Sequence, residues 1–315
     1  MLKYIVKRLF YALLTLLTLC AITFFMMRLL PGDPFIGEKA IPEATMKALN
    51  AKYGLDKPVM TQFAMYLGNI LKGDLGLSMY YSNTPVTNKI IQAFPYSFDL
   101  GIRALIFATI TGVFLGIVAA VKRGTVWDTL TMLIAIIGVS VPSFIVGSLL
   151  QYVLGLQLFQ LTGVKVFAIY GWQSFNSKLL PAFALSFGSM ATVSRLMRTS
   201  MLDVLGQDYI KTAKSKGLSQ KKIIWKHAVR NAIMPVITVL GPIAAAVLTG
   251  AFVVESIFSI PGMGKFFVNS IKVQDYTMIS GITLFYGAFL VIANLIVDLA
   301  YGFIDPRVKL SEAKE

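Results

Sequence analysis

A single cysteine and a single histidine stand among the 315 residues. One cysteine excludes a disulfide framework, and one histidine argues against a His-based metal centre or acid/base pair. Charge is also scarce: Asp, Glu, Lys and Arg make up 14% of the chain, where soluble proteins carry about 25%. Acids are scarcer still, 15 against 29 bases, which leaves a formal charge of +14. A G-x-x-x-x-G-K-[ST] phosphate loop is lacking, because Gly264 and Lys265 are followed by Phe266 and have no glycine at the required upstream position. What is plentiful is apolar surface. Hydrophobic residues are 56% of the chain and the mean hydropathy is +0.72. This excludes a disordered, fibrous or nucleic-acid-coating protein and leaves an all-α polytopic membrane protein.

A bilayer core takes roughly 20 helical residues to cross. Six apolar runs reach that length, at Leu9 to Leu30, Leu100 to Val121, Leu130 to Leu158, Leu179 to Met197, Pro235 to Val254 and Ile279 to Phe303. The N-terminus imitates a secretory signal, with Lys3, Lys7 and Arg8 ahead of an apolar stretch. Its run is too long and ends without a small-x-small site, so it reads as an uncleaved span. Leu17 to Cys20 is likewise the wrong context for lipidation, because a leucine precedes the cysteine.

Basic residues set orientation. With the N-terminus inside, the inner segments hold seventeen Lys and Arg and the short outer loops hold four, Lys165, Lys178, Lys265 and Lys272. Both termini are therefore expected inside. The first outer segment, from Pro31 to Tyr96, is too long for a connector and too polar to cross. It reads as a small cap, with a short helix over Pro42 to Lys52.

The inner loop after the fourth span carries the sharpest pattern. Asp208 is placed to cap a short helix through Tyr209, Lys211, Thr212, Ala213 and Lys214 to Lys216. Gly217 suits the left-handed residue that ends it, and Ser219, after Leu218, suits the cap of the next helix. In that second helix Lys222, Lys226 and Arg230 share one face, and Ile224, Ala228 and Ala232 another. Such a helix can rest on anionic headgroups, act as a solvated topology determinant, or dock into a partner's groove.

Tyr209 to Ser219 (YIKTAKSKGLS) followed by His227 to Asn231 (HAVRN) resembles the EAA loop of bacterial ABC importer permeases. Lys211, Thr212 and Ala213 occupy the Glu-Ala-Ala positions and Gly217 the glycine, with Lys replacing Glu and Arg230 replacing the terminal Pro. Leu30 to Phe35 (LPGDPF), Val139 to Phe144 (VSVPSF), Glu255 to Gly264 (ESIFSIPGMG), Asn294 to Asp298 (NLIVD) and Tyr301 to Arg307 (YGFIDPR) extend the resemblance over nearly the whole chain, to oligopeptide and dipeptide permeases of the B-subunit type.

The resemblance implies a type I importer permease in a bacterial plasma membrane. It divides the chain into an N-terminal transmembrane helix (1–30), an extracytoplasmic cap (31–96), a core permease domain (97–303, with its coupling loop at 203–231) and a cytoplasmic tail (304–315). It implies a non-enzymatic subunit whose cargo is oligopeptide, with dipeptide, nickel or glutathione as alternatives in the same family. The implied partners are a paralogous permease, two cytoplasmic ATPases that bind the ATP and magnesium, and an extracytoplasmic peptide-binding protein. No cofactor, metal or nucleic acid is expected on this chain, and its coupling residues are Asp208, Tyr209, Lys211, Thr212, Ala213, Lys214, Gly217, Leu218 and Ser219.

Polar residues at membrane depth are functional candidates. Arg28 and Arg103, near the outer ends of their spans, read as snorkelling side chains, with Arg103 retained for the translocation path. Ser140 and Ser143 beside Pro142 offer hydroxyls to a wide, weakly polar route. Glu255 closes the fifth span as a turn cap or gate. Asn294 and Asp298 read as a polar clamp between helices rather than a proton relay. A secondary transporter would instead need matching broken helices in inverted halves, which the sequence does not display. An integral-membrane enzyme would need a nucleophile and base, and His227 is the sole imidazole.

Overall fold

The computed structural model describes residues 2–29, 35, 42–249 and 251–304, and their side chains except at 2–5 and 297–304. The helices in chain order are α1 (Leu2–Leu29), α2 (Glu43–Tyr53), α3 (Val59–Leu71), α4 (Val86–Val121), α5 (Val126–Ser140), α6 (Ser143–Leu150), a π-helical turn (Gln151–Gln157) and α7 (Leu158–Thr162). They continue as α8 (Phe175–Leu205), α9 (Asp208–Ser215), α10 (Gln220–Lys222), a second π turn (Ile223–Ala228), α11 (Val229–Ala232), α12 (Met234–Thr249), α13 (Phe252–Ile257), α14 (Met263–Lys272) and α15 (Tyr276–Ile304). Among the described residues the extended structure is one isolated bridge, Leu77 to Pro85.

Among the described residues six helical stretches are long and apolar enough to cross a bilayer: Val6–Leu29, Val86–Val121, Ser143–Thr162, Phe175–Leu205, Met234–Ile257 and Tyr276–Ile296. Two differ in kind from the sequence expectation. The second span was expected from Leu100, but its helix starts at Val86 and includes Pro95. The third was expected as one run from Leu130 to Leu158, and the chain breaks at Val141 and Pro142 instead. Proline has no N–H to donate and disfavours the helical conformation in the residue before it. Val141 accordingly lies at φ −96°, ψ 122°, and α6 starts afresh behind Pro142.

The chain divides into two compact units, one of Met1–Pro95 with Gly262–Leu295, the other of Tyr96–Pro261 with Ile296–Glu315. In the first, α1 and α3 meet through aromatic rings, with Phe24 against Phe63 and Tyr66 at centroid separations of 5.2 and 5.5 Å. Phe94 packs edge-on against Phe285 and Phe289. The Asp275 carboxylate, buried completely, accepts hydrogen bonds from Ser78 Oγ, from the N–H of Met79 (3.0 Å) and Tyr80 (3.3 Å), and from the N–H of Met278 at the start of α15 (3.0 Å). One acid thereby ties the segment after α3 to the loop between α14 and α15.

In the second unit, close helix approach rests on small residues, as membrane helices require when apolar burial offers no advantage over lipid. Gly112 lies against Val193 and the Met190 carbonyl, and Gly116 against Ser194 and Met197. A β-carbon on Gly116 would stand 2.6 Å from the Ser194 oxygen and 3.0 Å from the Arg198 nitrogen, both backbone atoms. Gly116→Val is therefore expected to cost about 1–3 kcal/mol of overpacking, read as a lower unfolding midpoint in detergent. Gly68→Ala, whose β-carbon would meet nothing within 4 Å and which places a better helix former in α3, should not lower the midpoint.

Candidate coupling elbow and polar clusters

The chain after α8 turns at Gly206 and Gln207 into α9. Gln207 holds the N-cap position at ψ 151°, and no side chain caps the helix. Asp208 was expected to be the cap, but it occupies the first helical residue, and its Oδ1 takes an exposed ion pair from Lys211 Nζ at 2.8 Å. Such an exposed pair contributes at most about 1 kcal/mol. It is held rather by Ile210 and Ala213, which are buried with Ile117, Ala120, Met197 and Met201. Tyr209, Lys211, Thr212, Lys214 and Ser215 face outward.

The end of α9 is closed by two backbone bonds, Gly217 N–H to Lys214 O (2.9 Å) and Leu218 N–H to Ala213 O (3.3 Å). This is the Schellman pattern, which needs a left-handed residue between them. Gly217 supplies it at φ +73°. Leu218, half-buried, packs back on the same apolar cluster. Ser219 sits at the N-cap of α10 with no side-chain cap bond.

The second helix of the elbow departs from the expected spacing. A uniform α-helix would bury Ile224, Ala228 and Ala232. The π turn at Ile223–Ala228 inserts one residue, so the fully buried set becomes Ile223, Ala228, Ala232 and Val236, and Ile224 is half-buried. Lys222, Lys226 and Arg230 remain exposed. With Lys211, Lys214, Lys216 and Lys221, also exposed, they give the elbow a cationic outer surface. Asn231 Nδ2 donates to Tyr209 Oη (3.0 Å) and the His227 carbonyl (3.0 Å), fastening the two arms together.

The other singled-out residues are dispersed. Arg103 does not reach outward alone: its Nε pairs with Asp99 Oδ1 at 2.8 Å, and Asp99 Oδ2 takes Lys178 Nζ (3.1 Å) and the Trp172 indole N–H (3.2 Å). Ser140 is exposed at the end of α5, and Ser143 half-buried at the start of α6. Glu255 is fully buried in α13, and its backbone carbonyl accepts the Ile260 N–H at 2.8 Å to close the following turn. Asn294 is exposed on α15. The Asp298 side chain lies outside the described residues, as do Arg307 and Leu30 to Pro34 of the quoted strings.

Two polar ties had no signal in the sequence. Arg198 makes a bidentate pair with Asp128, Nε to Oδ1 at 2.6 Å and Nη2 to Oδ2 at 2.9 Å, and Gly124 N–H adds a bond to Oδ2 at 3.0 Å. Gln151 Nε2 bridges the carbonyls of Ile169 (2.9 Å) and Ile257 (3.1 Å). Among the described residues no group of three His, Cys, Asp or Glu is placed to hold a metal ion.

Residues 112–310 match the family described as "Binding-protein-dependent transport system inner membrane component", and residues 1–101 match its N-terminal companion. The Dipeptide transport system permease protein DppB of Bacillus subtilis is 46% identical over 98% of this chain and 99% of its own. The Oligopeptide transport system permease proteins OppB of Haemophilus influenzae and Escherichia coli are 41% and 40% identical, each over 98% of this chain and 100% of their own. A crystal structure of an amino acid ABC transporter with histidines shares the fold, with a TM-score of 0.50 at 14% identity, covering 68% of this chain and 92% of that one. With six helices long and apolar enough to cross a membrane among the described residues, and family matches over residues 1–101 and 112–310, the chain belongs to the binding-protein-dependent transport system inner membrane components.

Proposed function

We propose that this chain is the transmembrane subunit of an ATP-driven importer of short peptides and that the Asp208 to Ser219 elbow is where a cytoplasmic ATPase engages it. The observation that carries the reading is the build of the elbow. Its inner side is anchored by Ile210, Ala213 and Leu218, its outer side is exposed, and its corner is fixed by a Schellman turn at Gly217. A rigid lever of this kind transmits a partner's movement without melting.

In this reading Tyr209, Lys211, Thr212 and Lys214 touch the ATPase, while Asp208, Gly217 and Ser219 set the bend. Both termini are cytoplasmic, and the segment between the first two spans is extracytoplasmic. ATP and magnesium are bound by two ATPase subunits, a paralogous permease completes the pore, and a binding protein delivers cargo. The chain itself carries no catalytic centre. Arg103, Ser140, Ser143, Glu255, Asn294 and Asp298 stand as path or gate residues. Support for peptide cargo comes from relatives whose names specify dipeptide and oligopeptide transport, and dipeptides and longer peptides are both admitted.

Cysteines introduced at Lys214 and Ser215, both exposed, test the docking. In inside-out vesicles they should be protected from an impermeant maleimide with the ATPase bound and labelled once it is stripped. Equal labelling in both states would refute docking at this surface.

A further inference from the structure

We propose that the cavity around Arg28, in the unit formed by α1, the segment following it and the α14–α15 region, is a binding site for an oxyanion: a carboxylate or phosphate group. The cavity has a volume of about 240 Å³ and is lined by Arg28, Gln62, Tyr66 and Tyr276 among others. That is room for a small head group or, at about 30 Å³ each, several waters.

Arg28 is held in place. Its Nε donates to Gln62 Oε1 at 2.9 Å, and Gln62, buried, is itself fixed by donating to the Lys57 carbonyl at 2.8 Å. The guanidinium carbon lies 4.8 Å from the centroid of the Phe24 ring and 5.7 Å from that of Tyr276. Among the described residues its two terminal nitrogens have no hydrogen-bond acceptor, and no carboxylate pairs with it. Tyr66 stacks on Phe24, and its buried hydroxyl has no partner either. A partly desolvated cation with one neutral acceptor is incompletely compensated, and a planar fork of N–H groups is matched best by a bidentate oxyanion.

Charge on the walls has the same sign. Lys52 and Lys57 line the cavity, and neither has a carboxylate partner among the described residues. Lys57 Nζ lies 3.6 Å from Met65 Sδ, and Lys52 Nζ 5.7 Å from the Tyr53 ring centroid. Among the described lining residues the one acid, Asp74, already accepts the Gly76 N–H at 2.8 Å. Three cations among the described lining residues thus face one acid, and the neighbouring Asp275 carboxylate is already taken up by four donors. The site is independent of the elbow and of the cargo reading.

The test is calorimetric titration of the assembled complex, without its binding protein, in neutral detergent at low ionic strength. The probes are inorganic phosphate, short-chain phosphatidylglycerol and dialanine, with dialanine amide as control. At least one probe should saturate one site per chain. Its affinity should fall ten-fold or more in Arg28→Gln and three-fold or more in Lys57→Gln, and stay unchanged in Lys47→Gln, whose side chain is exposed away from the cavity. Phosphate binding alone assigns a free anion, phosphatidylglycerol binding a lipid head group, and dialanine binding lost in the amide a peptide carboxylate. Lys57→Gln changes an exposed lining side chain and decides the matter if Arg28→Gln fails to fold. Absence of saturable binding by all probes, or wild-type affinity in both Arg28→Gln and Lys57→Gln, overturns the proposal.

Discussion

Replacing Gly217 by valine should leave the protein inserted at normal levels and abolish cargo-stimulated ATP hydrolysis in the assembled complex. At φ +73° a β-branched residue is strained by about 1–2 kcal/mol. Apart from its chain neighbours no heavy atom lies within 4 Å of a β-carbon built at this position, so the penalty is chiefly that of the backbone. The cheapest relief is to leave the left-handed region, which breaks the Gly217 and Leu218 bonds to α9 and re-aims the corner. Gly217→Asn should retain most of the stimulation, because asparagine tolerates this conformation. Stimulation at the wild-type level in Gly217→Val would show that coupling does not reside in the turn.

Asp275→Ala should be the most destabilising change in the first unit, on the order of 3–5 kcal/mol, because it strips the acceptor from several donors at once. Ser78 Oγ and the N–H groups of Met79, Tyr80 and Met278 all converge on this carboxylate, and Ser78 and Met278 are fully buried. Tyr53 Oη donates to the Ser78 carbonyl at 2.8 Å, so the loss should spread to α2. The readouts are a lower unfolding midpoint in detergent and faster proteolysis of the segment between α2 and α4. An unchanged midpoint would mean that water replaces the carboxylate at little cost.

These two residues mark what the sequence disclosed. Gly217 was legible because its requirement is local: a glycine placed just past a helix, before an apolar residue, states its own φ. The membrane crossings were legible for a similar reason, since about 20 apolar residues in a row admit few other structures. Asp275 was not legible, because its partners Ser78 and Met79 lie 197 and 196 positions away and no periodicity links them. The same holds for Asp128 with Arg198, 70 residues apart, and Asp99 with Lys178, 79 apart. The exchange of Ile224 for Ile223 has another origin. A π turn breaks the 3.6-residue period from which that face was read, and the residues Ile223 to Ala228 do not announce it. Pro142 did announce a break, but the apolar run continues through it and outweighed the signal.

The central claim, that this chain forms the membrane path of an ATP-driven peptide importer, is tested most directly by uptake into proteoliposomes. The chain is reconstituted with its paralogous permease, ATPases and native binding protein, and labelled peptides of two to six residues are supplied outside. Peptide should accumulate on addition of ATP to the ATPase side and fail to do so with a non-hydrolysable analogue. Uptake of nickel without peptide, or peptide uptake that does not depend on ATP, would contradict the account.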